Sequence, residues 1–249
     1  MKLTYTYKLN QGQYDLDYVV KQVGLGVNNA SFIWNADLKQ TERLLREQKR
    51  VSTICYKERG EDFSYLSEMS DDELKFEKPV EWLAYKQSYF STIIRPEQAF
   101  SNKKSEIKVR NFKEGDDKFF SHIKHYKSRV GVDLDGNDAR IKMNWFFGPN
   151  DYEVLKSYNS EYEDIINYGW GLFRWINVYA IQPMFNVLAS TGFGFGLVIL
   201  LLTLIIKLFL TPIQLKMYVS SAKMKILKPD MLFLLLDRTQ YKLYSFNLL

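Results

Sequence analysis

The residues with the clearest capacity for chemistry sit inside an apolar run. Thr203, Lys207 and Thr211 are spaced i, i+4, i+8, and Gln214 follows Lys207 by seven. On a helix at ~100° per residue all four fall within about 80° of one another and make a single polar stripe. Lysine supplies a positive charge with three donors, threonine a hydroxyl, glutamine an amide. Such a set can hold a carboxylate or other polar group. No nucleophile elbow, phosphate loop or paired-cysteine site accompanies it, so nothing assembles an enzyme's constellation and no cofactor is implied.

The element that must position the stripe is Phe193 to Leu210, 18 residues with one charge, Lys207. At ~1.5 Å per residue it spans roughly 27 Å, close to the hydrocarbon thickness of a bilayer. A soluble core helix is the plainer alternative, but such helices rarely stay apolar all round for so long. In a membrane, a lysine near the centre costs about 2.5–3.5 kcal/mol, and a lone polar stripe faces protein or a watery cavity rather than lipid. The alternative is that Lys207 only snorkels, since it lies five residues before Pro212 and its stem reaches toward headgroups.

The charge distribution orients this span. The chain has 249 residues and a net charge of +5, and all of that excess lies from Thr191 onward, with seven basic and two acidic residues. A neutral first 190 residues gives no basic footprint for nucleic acid. Lysines 216, 223, 225 and 228 follow the span, whereas the nearest basic residue before it is Arg174. The positive-inside rule therefore puts the C-terminal side in the cytoplasm and the N-terminal side outside. Cys55 stands alone, so no internal disulfide reports the compartment. Met1-Lys2-Leu3-Thr4 opens directly on strand-like sequence without a secretory signal pattern. Export of the N-terminal domain is thus expected to need the later span or a natural start that precedes this one.

Residues 1 to about 148 read as short strands: Thr4–Tyr7, Tyr14–Tyr18, Ser31–Trp34, Val51–Lys57, Trp82–Ile94, Ile107–Phe112, Phe119–Tyr126 and Ala139–Phe147. Leu38–Gln48 is the one helical candidate among them. The pattern predicts a mainly β, antiparallel sandwich. Asp151 to about Ile166 reads as a helix capped by Asp151 or Asn150. Leu172–Leu188 reads as an amphipathic helix lying in the outer membrane interface, with Pro183 as a breaker and Trp170, Trp175 and Tyr179 as an aromatic belt. The alternative is an ordinary helix packed on the sandwich. Pro212 marks the inner end of the span. Gln214 to Leu227 continues as a basic helix with Lys216, Lys223 and Lys225 available to anionic headgroups. From Met231 the sequence turns apolar, too short and interrupted for a second span. The expected domains are 1–168 (sandwich with terminal helix), 169–190 (interfacial helix), 191–213 (transmembrane helix) and 214–249 (cytoplasmic segment).

Other motifs read as ordinary structure. Asp133-Leu-Asp-Gly-Asn-Asp138 has its glycine at the fourth place and no glutamate at the twelfth, so it is a polar turn rather than a calcium loop. His122 and His125, three apart on a strand, fall on opposite faces and make a poor metal pair. Asn29-Ala-Ser31 matches a glycosylation sequon that is common by chance.

The block from Gly169 to Pro229 resembles the YidC membrane protein insertase family, which is related to the mitochondrial Oxa and chloroplast Alb proteins. Leu197 to Pro229 is similar to that family's second transmembrane helix and the start of its cytoplasmic hairpin. The features that carry the likeness are the cation near the inner part of the helix, the proline five positions on, and Ala222-Lys-Met-x-x-Leu-x-Pro229. Trp145-Phe-Phe-Gly-Pro-Asn-Asp-Tyr152 and Val80-Glu-Trp-Leu-Ala-Tyr-Lys-Gln87 resemble its periplasmic domain. Lysine where arginine is commoner resembles the Bacteroidetes-type members.

The resemblance implies a periplasmic β-supersandwich, an interfacial helix, and a core with a hydrophilic groove open to cytoplasm and lipid. It places Lys207 as the groove's cation, with nascent membrane proteins and lipids as partners, the Sec translocase and ribosome as further ones, and the bacterial inner membrane as location. The family's first transmembrane helix, early sandwich strands and last four transmembrane helices have no counterpart here, so the chain reads as a truncated member. An unpaired sandwich edge is then expected near Leu3–Leu9. Two other functions are weighed. One is a membrane-tethered module whose sandwich holds a glycan or protein; the other is an aldose-epimerase-like enzyme, for which the histidine–carboxylate set is lacking.

Overall fold

Alternating apolar and polar residues build eleven strands among the described residues: β1 (Lys2–Leu9), β2 (Asp15–Val23), β3 (Asn29–Lys39), β4 (Thr53–Glu58), β5 (Ser64–Tyr65), β6 (Asp72–Lys75), β7 (Val80–Lys86), β8 (Phe90–Pro96), β9 (Ser101–Asn111), β10 (His122–Asp133) and β11 (Arg140–Pro149). In this computed structural model they pair antiparallel into two sheets. One has seven strands in the order β1-β2-β11-β8-β7-β4-β5; the other has four in the order β3-β10-β9-β6. The structure describes residues 2–24, 29–134, 139–169 and 171–246, with 226–246 as helical backbone only. The expected turn at 135–138 and Trp170 lie outside the described residues. The chain divides into two units, 1–167 and 168–249.

The first unit is the expected sandwich, with two apolar layers. Between the sheets, Ile54, Leu83, Tyr85, Ile94 and Met143 meet Ile107, Val109, Tyr126 and Val130. On the outer face of the seven-stranded sheet, Cys55, Trp82, Ala84, Ile93 and Phe146 are covered by Leu155, Tyr162 and Ile165. Strands β4 and β7 are therefore buried on both faces, which is why they read as continuous apolar runs. Full burial of side chains such as Trp82 and Phe146 is worth about 1.5–3 kcal/mol each.

Four expectations change here. Trp82–Ile94 is not one strand; it is the β7–β8 hairpin, turned at Gln87–Tyr89, where Gln87 N donates to Phe90 O at 3.0 Å. Leu38–Gln48 is not a helix. It covers the end of β3 and the first residues of α1 (Leu45–Val51). Phe119–Ser121 is a turn, and β10 starts only at His122. The Asp151–Ile166 helix stops after one short helix, α2 (Tyr152–Ser157). Asn159 and Glu161 adopt positive φ, and a 3₁₀ turn follows at Tyr162–Ile165.

The second unit is helical. α3 (Leu172–Ile176) runs into a π turn (Asn177–Ile181) and α4 (Gln182–Ala189) without a break. Pro183 has no N–H for the carbonyl of Tyr179, and the wider turn just before it absorbs that mismatch. Pro183 thus deforms the helix rather than ending it. Gly192, at φ +80°, makes the turn that a side chain would strain. α5 then runs from Phe195 to Phe246, 52 residues, or ~78 Å. Pro212 does not end it. The stretch Phe195–Lys225 has 31 residues, and its most apolar 18-residue window has a mean hydropathy of 2.5, long and apolar enough to cross a bilayer. Only 6% of its most apolar window is buried, which is the opposite of a soluble core helix.

Candidate functional site

Thr203, Lys207, Thr211 and Gln214 all lie within the helical run of α5 and all are exposed. The stripe therefore forms, over ~16 Å of helix. Its hydroxyl protons are already used. Thr203 Oγ1 donates to Ile199 O at 2.8 Å and Thr211 Oγ1 donates to Lys207 O at 2.7 Å. Such back-bonding is the usual way an apolar helix satisfies a threonine. It leaves the threonine oxygens as acceptors and Lys207 as the stripe's cationic donor. Lys207 forms no ion pair among the described residues.

Pro212 adds a polar feature that sequence reading assigned only a terminating role. Because it lacks an N–H, the carbonyl of Leu208 has no donor four residues on. A lysine, two threonine oxygens and an amide thus line one face of an otherwise apolar helix, while the Leu208 carbonyl opens about 100–140° round the helix from Lys207. This arrangement can bind polar or acidic groups; it holds no acid–base pair for bond chemistry.

The interface residues separate. Trp175 on α3 and Tyr179 in the π turn are exposed, with ring centroids 5.9 Å apart. Lys216, Lys223 and Lys225 are exposed on α5. Lys216 and Lys223, seven apart, share a face opposite Lys207, whereas Lys225, eighteen after Lys207, returns to the stripe's side. The three lysines therefore ring the helix rather than forming one basic face.

The β unit holds a cation that sequence reading did not single out. Lys124, on β10, is 0% exposed. Its ammonium donates to Lys49 O at 2.8 Å, Ser52 O at 2.5 Å and Glu68 O at 2.6 Å. Burial pushes its pKa down to about 8, and the nearby Glu68 carboxylate opposes that shift. Alternation does put Lys124 on the face of Tyr126, Ser128 and Val130 and opposite His125, Lys127 and Arg129, a signal that its charge masks. The two histidines have separate partners: His122 shares a hydrogen bond with Ser121 Oγ at 2.7 Å, and His125 meets Asp37 at 2.6 Å. The contact of Asp37 with Lys118, and then the one with His125, holds its carboxyl below the usual range.

The YidC periplasmic domain family matches residues 1–187. The membrane protein insertase YidC of Parabacteroides distasonis is 32% identical over 244 residues, covering 92% of this chain and 37% of that protein. The membrane protein insertases YidC of Bacteroides fragilis and Azobacteroides pseudotrichonymphae are 30% and 31% identical over 91% and 92% of this chain. The chain spans 38% and 39% of the length of those two. A sandwich matched by that periplasmic family, followed by a polar-striped apolar helix within the region aligned to these insertases, places the chain in the YidC membrane protein insertase family.

Proposed function

We propose that this chain supplies the outer domain and a client-receiving helix of a membrane protein insertase. The carrying observation is the exposed stripe around Lys207 on a helix that is otherwise apolar. A cation in hydrocarbon is costly, and water and the threonine oxygens on its own face relieve that cost. A hydrated cation beside lipid attracts a carboxylate on a passing segment several-fold more strongly than it would in bulk water. The stripe is proposed to line a groove that shelters the polar flank of a nascent membrane protein. The work is binding, not covalent chemistry. Residues 1–168 are placed in the periplasm, 169–190 in the outer interface, 191–213 across the inner membrane, and 214–249 in the cytoplasm. Bilayer lipids contact Trp175, Tyr179 and the lysine ring, and the Sec translocase and ribosome are proposed as further partners.

The test is insertion of clients with graded acidic flanks, in cells that depend on each variant. Lys207→Arg is expected to keep function because charge and donors remain. Lys207→Glu impairs acid-flanked clients most, because attraction becomes repulsion. Lys207→Leu keeps the helix inserted but lowers insertion of those clients about tenfold, as a loss of ~1.4 kcal/mol would. Equal insertion by wild type and Lys207→Leu across the series would reduce Lys207 to a snorkelling anchor.

A further inference from the structure

The polar residues from α3 to α4 do not fit one helical period. Gln182 follows Arg174 by eight and Asn186 follows it by twelve. In an unbroken α-helix, at ~100° per residue, Gln182 would lie about 80° and Asn186 about 120° round the axis from Arg174. Phe185 would fall within about 20° of Arg174, so the helix would have no polar side. The π turn over Asn177–Ile181 changes that phase. It bonds i to i+5 and takes up one residue more than an α turn. Eleven effective steps then put Asn186 about 20° from Arg174, and seven put Gln182 about 20° to the other side. Leu172, Ile176, Met184 and Leu188 come within about 40° of the opposite pole.

The contacts agree with this phase. Asn177 Nδ2 donates to Tyr168 O at 2.8 Å, and the Tyr168 hydroxyl donates to Gln182 Oε1 at 3.5 Å. An α-helix would point Asn177 and Gln182 about 140° apart, whereas the π turn brings them within about 40°. Gln182 Nε2 in turn donates to Asn186 Oδ1 at 3.4 Å. Beyond them, Phe185 stacks on Phe195, the first residue of α5, with ring centroids 6.4 Å apart and planes 6° apart. The amphipathic segment therefore lies beside the start of the apolar span.

We propose that the π turn is a phasing device for membrane contact as well as a relief for Pro183. Its extra residue keeps Arg174, Gln182 and Asn186 in one row toward water, while the side from Leu172 to Leu188 enters the lipid interface in one plane. Through the Phe185–Phe195 stack, the fixed roll of this segment sets how α5 and its stripe enter the bilayer. The proposal rests on the interfacial placement of residues 169–190.

The full chain would be reconstituted in vesicles of phosphatidylethanolamine and phosphatidylglycerol, with a nitroxide label at Ile176→Cys, Met184→Cys or Asn186→Cys, one at a time. Cys55 is buried and stays unlabelled. Collisions with oxygen report lipid, and collisions with a water-soluble nickel chelate report water. The expected result is lipid at Ile176 and Met184 and water at Asn186. Deleting Ala180 leaves an α-helix of the same phase, so it should change neither the label pattern nor insertion of acid-flanked clients in cells. Inserting one alanine after Ala180 should roll the two halves apart by about 100°, move one of the two apolar-side labels out of lipid, and lower client insertion. Deleting Val178 from that variant restores the residue count and should restore both readouts. Water at both Ile176 and Met184 in the wild type would overturn the interfacial placement and the phasing with it. Lipid contact that the added alanine leaves intact, that deletion of Ala180 abolishes, or that deletion of Val178 fails to restore would overturn the phasing and spare the placement.

Discussion

Lys124 and Lys207 are both lysines without an ion-pair partner among the described residues, yet their surroundings set opposite roles. Lys124 spends its three donors on three carbonyls, two of them, Lys49 O and Ser52 O, at the C-terminal end of α1. There a cation also meets the negative end of the helix dipole. Lys207 has no hydrogen-bond partner among the described residues. Lys124→Met should destabilise the β unit by about 2–4 kcal/mol, because it strands buried carbonyls, and a urea melt of the full chain followed by tryptophan fluorescence would read this. The folded-state pKa of Lys124 is depressed to about 8 from an ordinary 10.5. Across that window the unfolded chain holds a proton that the folded chain has released. The pH-dependent part of what this lysine contributes is therefore fully present above about 10.5 and lost as pH falls through 8, while its hydrogen bonds to the three carbonyls remain. The wild type's margin over Lys124→Met should widen between those values. A margin that stays flat would show that the ammonium remains charged in the fold.

Elements were legible where period and burial agreed. β4 and β11 carry apolar residues at the spacing of a packed strand, and the sequence places them within two residues at each end; β2 and β9 are found, but five residues are missed at the end of β2 and six at the start of β9. β5 and β6 are short edge strands, Ser64–Tyr65 and Asp72–Lys75, whose pairing is decided by neighbouring strands rather than by their own composition. The β7–β8 turn uses Gln87, Ser88 and Tyr89, with no glycine, proline, asparagine or aspartate, so a single serine was its only punctuation. The helix predicted over Leu38–Gln48 borrowed its periodicity from two elements. Asp151, by contrast, is legible as a cap: its carboxylate accepts from Val154 N at 3.0 Å. Asp151→Ala should cost about 1 kcal/mol, and unchanged denaturation midpoints would show that Leu155 packing alone holds α2. On α5 the stripe was readable from spacing. The back-bonded hydroxyls were not, because rotamers are not written in a helical period. The helix expected beyond Pro212, over Gln214–Leu227, is there, but it joins the span without a break because the proline is absorbed within one helix.

For the molecule as a whole, the zero-versus-+5 charge split is the argument for orientation. Reporter fusions at Asn150 and Lys228 should report outside and inside respectively; a cytoplasmic signal at Asn150 would refute the proposed topology. That orientation sets which end of the stripe meets the cytoplasm, but the central claim is that one face of α5 meets clients. Site-specific photocross-linking tests it most directly. Probes placed at Thr203 and Lys207 are compared with probes at Ile205 and Phe209, which lie ~160° away from Lys207 on either side, while an acid-flanked nascent membrane protein is inserted. Adducts to the client from Thr203 and Lys207, with lipid adducts alone from Ile205 and Phe209, are the expected result. Client adducts of equal yield from both faces, or from neither, would contradict a receiving stripe on this helix.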